Sequence, residues 1–165
     1  MDRDERLEFV RSHRVGVFGV NRKNTGPAMT IVYYVMDGND LLISTMEYRG
    51  KTKAVKRDPR VSFCVLSEQW PPSYLLLYCN ASIDATIDTD LEKVVDMSMA
   101  ISSLMAGQKM PDSVRDATRE RVIVERRIQL RLHPYESFES PPRHVYTPKD
   151  VIGLTHGYGS LLPWE

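Results

Sequence analysis

Ser44-Thr45-Met46-Glu47-Tyr48-Arg49-Gly50-Lys51-Thr52-Lys53-Ala54-Val55-Lys56-Arg57-Asp58-Pro59-Arg60-Val61 reads as the end of an apolar strand, a short basic helix and a turn into another strand. Six of the twelve residues from Arg49 to Arg60 are Lys or Arg, and Asp58 is the only acid among them. The chain as a whole is balanced, with 22 Lys plus Arg against 22 Asp plus Glu. Positive charge gathered where a strand ends and a helix begins forms an anion site, because free backbone N–H groups and the helix dipole add to the side-chain charges. A phosphorylated small molecule is the expected occupant.

Upstream of this stretch, Met29 to Met36 is rich in β-branched and aromatic residues and predicts a strand. Asp37-Gly38-Asn39-Asp40 is a hairpin signal, with Gly38 accepting positive φ, and Leu41 to Thr45 returns as the next strand. Asp4 to Ser12 reads as an amphipathic helix whose apolar members are Leu7, Phe9 and Val10, and Arg14 to Asn21 as a buried strand. Downstream, Arg60 to Leu66 predicts a strand, Gln69-Trp70-Pro71-Pro72 a loop, and Tyr74 to Ile87 a long strand. Leu75, Leu77, Cys79, Ala81, Ile83, Ala85 and Ile87 would form one unbroken face of it, opposite Tyr74, Leu76 and Tyr78. A period of two kept up this long predicts a strand bending around a barrel.

Asp88 to Ala106 is the clearest helix, with Thr89 as its N-cap. Ser113 to Arg119 is a second helical piece. Val122 to Leu132 is expected as a closing strand, Ile128, Leu130 and Leu132 facing in and Arg127, Gln129 and Arg131 facing out. Residues 1–136 therefore read as one barrel domain. Residues 137–165 lack periodicity and read as a tail packing on the barrel or on a partner subunit.

The pattern S-T-x-x-x-R-x-K-x-x-x-x-x-x-D-P-R-V joins three further segments in a specific order. These are T-G-P-x-x-x-x-V-x-Y (Thr25 to Tyr34), D-G-x-x-L-x-x-S-T (Asp37 to Thr45) and D-P-R-V-S-x-C-V (Asp58 to Val65). From roughly Leu7 to Pro134 the chain resembles the split β-barrel flavin and deazaflavin proteins related to pyridoxamine 5′-phosphate oxidase. The resemblance implies a mainly β fold with helices, a split antiparallel β-barrel, and a homodimer with the cofactor site at its seam. It assigns the cofactor phosphate to Arg49 and Lys51, with Ser44 and Thr45 beside it. Met29, Thr30, Ile31 and Val32 would edge the ring system through their backbone, and Tyr74, with Trp70 and Tyr78, would line a pocket at the dimer interface. Lys53, with Arg57 beyond it, would extend the positive track.

The R-x-K form is the one associated with the deazaflavin-using branch. The implied function is an oxidoreductase that binds coenzyme F-420 and passes a hydride to an electron-poor small-molecule substrate. The alternatives are an FMN-dependent oxidase or reductase and a non-catalytic flavin- or deazaflavin-binding protein. No catalytic residue is singled out; Tyr33, Tyr74 and Tyr78 are proton donors by chemical class alone.

Composition excludes other classes. A length of 165 residues suits one domain with one core. Neutral net charge, and Tyr48 as the only aromatic residue beside the basic stretch, argue against nucleic acid as a partner. No apolar run reaches the roughly 20 residues that cross a bilayer, and the charged Met1 to Val10 is no export signal, so a cytoplasmic protein is expected. Cys64 and Cys79 are expected as buried thiols. His13, His133, His144 and His156 are scattered, and no metal site is expected.

Overall fold

The sheet begins and ends on one continuous run of chain. In the computed structural model, which describes residues 1–67, 69, 73–140 and 161–165, the strands are β1 (Val15–Val20), β2 (Ala28–Tyr33), β3 (Val35–Asp37), β4 (Asp40–Met46), β5 (Arg60–Leu66), β6 (Tyr74–Thr86), β7 (Arg127–Ser140) and β8 (Leu161–Pro163). The helices are α1 (Arg3–Ser12), α2 (Gly50–Arg57), α3 (Leu91–Ala106) and α4 (Arg115–Val124). Hydrogen bonding follows the order β2-β1-β5-β6-β7-β4-β3, with β8 added to β7, and every pairing is antiparallel. The two ends of this path, β2 and β3, are separated in sequence by Tyr34 alone. The sheet is thus rolled on itself and left open along one seam, the split barrel expected from the sequence. Trp70 and its two prolines, and residues 141–160 with His144 and His156, lie outside the described residues.

The expected strand Met29 to Met36 is therefore two strands. Tyr34 breaks it because its side chain turns into the core: it is 1% exposed, and its hydroxyl donates to Val10 O at 2.5 Å. Burial pushes its phenol pKa well above the ordinary value. Its ring meets Phe63 edge-on, with centroids 5.1 Å apart. Phe63 in turn lies over Gly16, where a Cβ would stand 2.3 Å from its ring. Leu41, Ile43, Val65, Leu75, Leu77, Leu130 and Leu132 complete this core, each fully buried.

The long strand does not carry one unbroken face. Ile83 pairs with Leu130 and Ala85 with Gln129, so Asp84 is an extra residue, a bulge that reverses the side-chain alternation beyond it. Ala85 accordingly leaves the barrel core and joins a second apolar cluster with Val94, Val95 and Val122. Gln129 points away from the barrel core as expected, but it pairs with Ala85 on the face that carries the second cluster, is 1% exposed, and donates to the Asp84 carboxylate. The closing strand also differs from expectation. Val122 belongs to α4, packed in the second cluster, and the strand runs from Arg127 to Ser140, across residue 137. The cap of α3 is Asp90, which accepts from Lys93 N at 3.0 Å, whereas Thr89 closes a turn onto Thr86.

The outer face of the barrel carries an apolar row. Cross-strand pairing aligns Ile31, Val17, Cys64, Leu76, Phe138 and Leu161 on one side of six neighbouring strands. Ile31 at its end is 74% exposed, and the adjoining Met29 is 71% exposed. Cys64 faces out in this row while Cys79 faces the core, so the two thiols remain separate. No helix among the described residues is long and apolar enough to cross a membrane.

Gly16→Ala is expected to lower stability by about 1–3 kcal/mol, because the new methyl must displace a buried ring that has nowhere to go. Chemical denaturation measures it, and the partner substitution Phe63→Leu should recover part of the loss in the Gly16→Ala background.

Candidate functional site

The seam of the barrel opens into a cleft with a volume of about 730 Å³. Strand β2 forms one bank through Thr30, Ile31, Val32 and Tyr33. The end of β4 and the start of α2 form the other through Ser44, Thr45, Met46, Arg49, Gly50 and Lys51. Because β2 hydrogen-bonds only to β1 among the described strands, its second edge leaves backbone N–H and C=O groups without a described partner along the opening.

Local chemistry fixes the β4–α2 junction. Thr52 is fully buried and its hydroxyl donates to Met46 O at 2.9 Å, tying the helix to the strand end. Glu47 N donates to Arg126 O, while the Glu47 carboxylate accepts from the Arg126 guanidinium at 2.8 Å. The hydrogen bond and the charge of the Arg126 guanidinium hold the Glu47 carboxyl below the ordinary range. The double link also sets Arg127 beside Ser44, whose hydroxyl accepts from Arg127 Nη1 at 3.3 Å. Arg57, at the far end of α2, donates to Asn21 O and so brings the loop carrying Arg22 and Lys23 to the cleft.

The result is a one-sided field. Arg22, Lys23, Arg49, Lys51, Arg57 and Arg127 line the cleft, and among the described residues no carboxylate lines it. Arg127 is partnered by Glu125, but Lys51 has no ion pair among the described residues. Burial first, and the nearby Arg49 charge second, push the Lys51 pKa below its ordinary value. A half-buried cation repelled by its neighbour is what an anion would relieve. The donor set therefore fits a phosphate or a longer anionic group, Arg supplying forks and Lys a point charge.

Seven of the ten residues expected to bind cofactor come together here: Thr30, Ile31, Val32, Ser44, Thr45, Arg49 and Lys51. Three do not. Lys53 sits two residues from Lys51, about 200° around the helix at 3.6 residues per turn, and faces solvent. Met29 points to the outer face, into a shallow hollow shared with Ser62, Tyr78 and Tyr135. Tyr74 is on that face too, its ring 6.4 Å from Phe138. Sequence reasoning missed Arg22, Lys23, Arg127, Ile101 and Met105 as lining residues. Arg127 could have been suspected from the pairing of β4 with β7; the others come from a loop and a helix that carry no motif. Among the described residues no cluster of His, Cys, Asp and Glu could hold a metal ion.

Residues 3–129 match the family described as pyridoxamine 5′-phosphate oxidase. The chain belongs to that family. Its fold is similar to that of the conserved hypothetical protein Rv2991 from Mycobacterium tuberculosis, with a TM-score of 0.71 and 18% identity over 90% of this chain and 94% of that one. It is also similar to an FAD-binding protein from Mesorhizobium loti, with a TM-score of 0.58 and 16% identity over 83% and 90% of the two chains. A heme binding protein from Mycobacterium smegmatis shares the fold at a TM-score of 0.64 and 11% identity, covering 98% of this chain and 57% of that one.

Lys51→Ala is expected to weaken binding of a phosphorylated ligand by about 1.5–3 kcal/mol, roughly ten- to a hundredfold. Lys56→Ala should cost little, since Lys56 faces away and pairs with Glu47 at 3.7 Å. Affinity should also depend on pH. A bound anion favours charged Lys51, so its pKa is higher in the complex than in the free protein. Affinity is then level below the lowered free pKa and falls as pH rises through it; Lys51→Arg should be flat over the same range. Titration calorimetry across alkaline pH reads both effects.

Proposed function

We propose that the cleft binds the anionic tail of coenzyme F-420 and that the protein is an oxidoreductase passing a hydride to an electron-poor small molecule. The observation that carries this reading is the extent of the positive track. One terminal phosphate is satisfied by two or three donors, whereas here six cations run from Arg127 and Arg49 past Lys51 to Arg57, Arg22 and Lys23. The deazaflavin tail is a phosphodiester followed by several carboxylates, and it can engage all of them. When bound, this cofactor supplies hydride transfer.

The protein's own share is position and environment. Arg49 and Lys51 hold the phosphate, with Ser44 and Thr45 adding hydroxyls. The open edge of β2 from Thr30 to Val32 offers donors and acceptors to a ring's heteroatoms. Tyr33 is the phenol nearest this role, since Tyr74 and Tyr78 lie on the outer face. FMN is the second reading, favoured by membership of the pyridoxamine 5′-phosphate oxidase family and by likeness to an FAD-binding protein. Calorimetry with both cofactors at low and high salt separates them. Coenzyme F-420 should bind more tightly and lose affinity more steeply with salt, because more charge pairs are screened. Tighter FMN binding, or deazaflavin binding indifferent to salt, would refute the assignment.

The same reading includes a homodimer. The row from Ile31 to Leu161 is apolar across six neighbouring strands and exposed at both ends, and a twin subunit is its expected cover. Sedimentation at micromolar concentration should find a dimer. Ile31→Lys, at the most exposed position of the row, should shift it towards monomer.

A further inference from the structure

The cleft has a wall that differs in kind from its floor. The same cleft is lined by Ile101 and Met105 of α3, four residues apart and so on one face of the helix. Neither belongs to the second apolar cluster that anchors the first half of α3 through Val94 and Val95. Met105 is 60% exposed, a large apolar side chain at the cleft with no core to fill.

The helix end that carries it is nonetheless firmly held. Gly107 closes α3 in the left-handed conformation (φ 68°), its N–H bonding back to Leu104 O. Arg14, at the foot of β1, donates to Leu104 O at 3.1 Å. Ser103 links Met99 O to Met110 N at 2.8 and 2.9 Å. A fixed apolar wall sharing one cleft with a cationic floor suits a ligand with both characters. A small hydrated anion would gain nothing from the wall, whereas a planar body behind a phosphate would cover it, and a thioether packs readily against aromatic rings.

We propose that Ile101 and Met105 are specificity-determining residues that pack against the aromatic body of the ligand, restricting the cleft to phosphorylated molecules that carry such a body. This rests on the cofactor reading given above. Because the two residues come from a helix outside the phosphate motif, charge and shape are selected by separate parts of the chain.

The test uses the whole protein and three probes. FMN and coenzyme F-420 are followed by their own fluorescence, and ribose 5-phosphate, an anion without a ring, by its competition with them. Ile101→Ala with Met105→Ala should weaken the ring-bearing ligand about tenfold, the scale of losing about two buried methylenes, and leave ribose 5-phosphate unchanged. Met105→Leu should restore most of the loss, and the unfolding temperature confirms that the double variant is folded. Lys51→Ala, by contrast, should weaken ring-bearing and ring-free anions alike. Unchanged affinity for the ring-bearing ligands in the double variant overturns the wall while leaving the phosphate floor standing. Equal loss for ribose 5-phosphate overturns it too, since the effect would then run through the floor. If the unaltered protein binds neither ring-bearing ligand, the cofactor reading itself fails and the inference falls with it.

Discussion

The hydrogen bond from the Tyr34 hydroxyl to Val10 O is the fastening on which the barrel depends. Tyr34 is the single residue between β2 and β3, and these strands are the two ends of the sheet. Drawing its ring into the core bends the chain there, so that what began as one extended run splits into the two end strands of the sheet, and β2 is left as one bank of the cleft. The edge-on stack with Phe63, and the missing side chain at Gly16, make room for that ring. The position of the cleft thus follows from the packing of a buried residue directly beside Tyr33, which lines it.

Elsewhere the molecule neutralises its charges locally. Arg131 reaches Asp37, Asp40 and Asp84, fastening the β3–β4 hairpin to the bulge in β6. Arg126 takes Glu47 and Asp88, and Arg115 takes Glu92 and Asp96. Against that background a cleft lined by six cations and no acid is a departure that folding alone does not favour. Like charges brought together around the half-buried Lys51 repel one another in the ligand-free state, so the arrangement makes sense when something anionic completes it.

Much of this was legible in the chain. Alternation and turn chemistry placed β1, β4, β5 and the helix of Arg49 to Lys56 within a residue or two, because each is a local pattern with its own punctuation. Failures fell where tertiary structure overrides the local pattern. The bulge at Asp84 leaves the apolar alternation intact in sequence, and only pairing with β7 shows that Ala85 has changed sides. Residues 122–124 are β-branched or apolar and read as strand, yet Val122 is claimed by packing on α3. In the cleft, the motif disclosed Arg49 and Lys51. Arg127 arrives through a strand pairing, and Ile101 with Met105 through a helix whose placement no motif records.

Trp164 is among the largest fully buried side chains, at 1% exposure. Its backbone N–H bonds Tyr135 O at 3.2 Å and its indole reaches Asn39 O, while Arg6 holds Pro163 O at 2.9 Å. Nothing in the pairing of β1 to β7 requires this indole, so those strands can pair before it docks. The nascent barrel then carries an indole-sized void, and a void of that order typically costs about 3–5 kcal/mol. Full stability arrives only when residue 164 has been translated and has docked between the first helix and the β3–β4 hairpin. A message cut short after the last long strand would yield a chain with its cleft in place and its core unfilled, the kind of product that cellular proteolysis removes first.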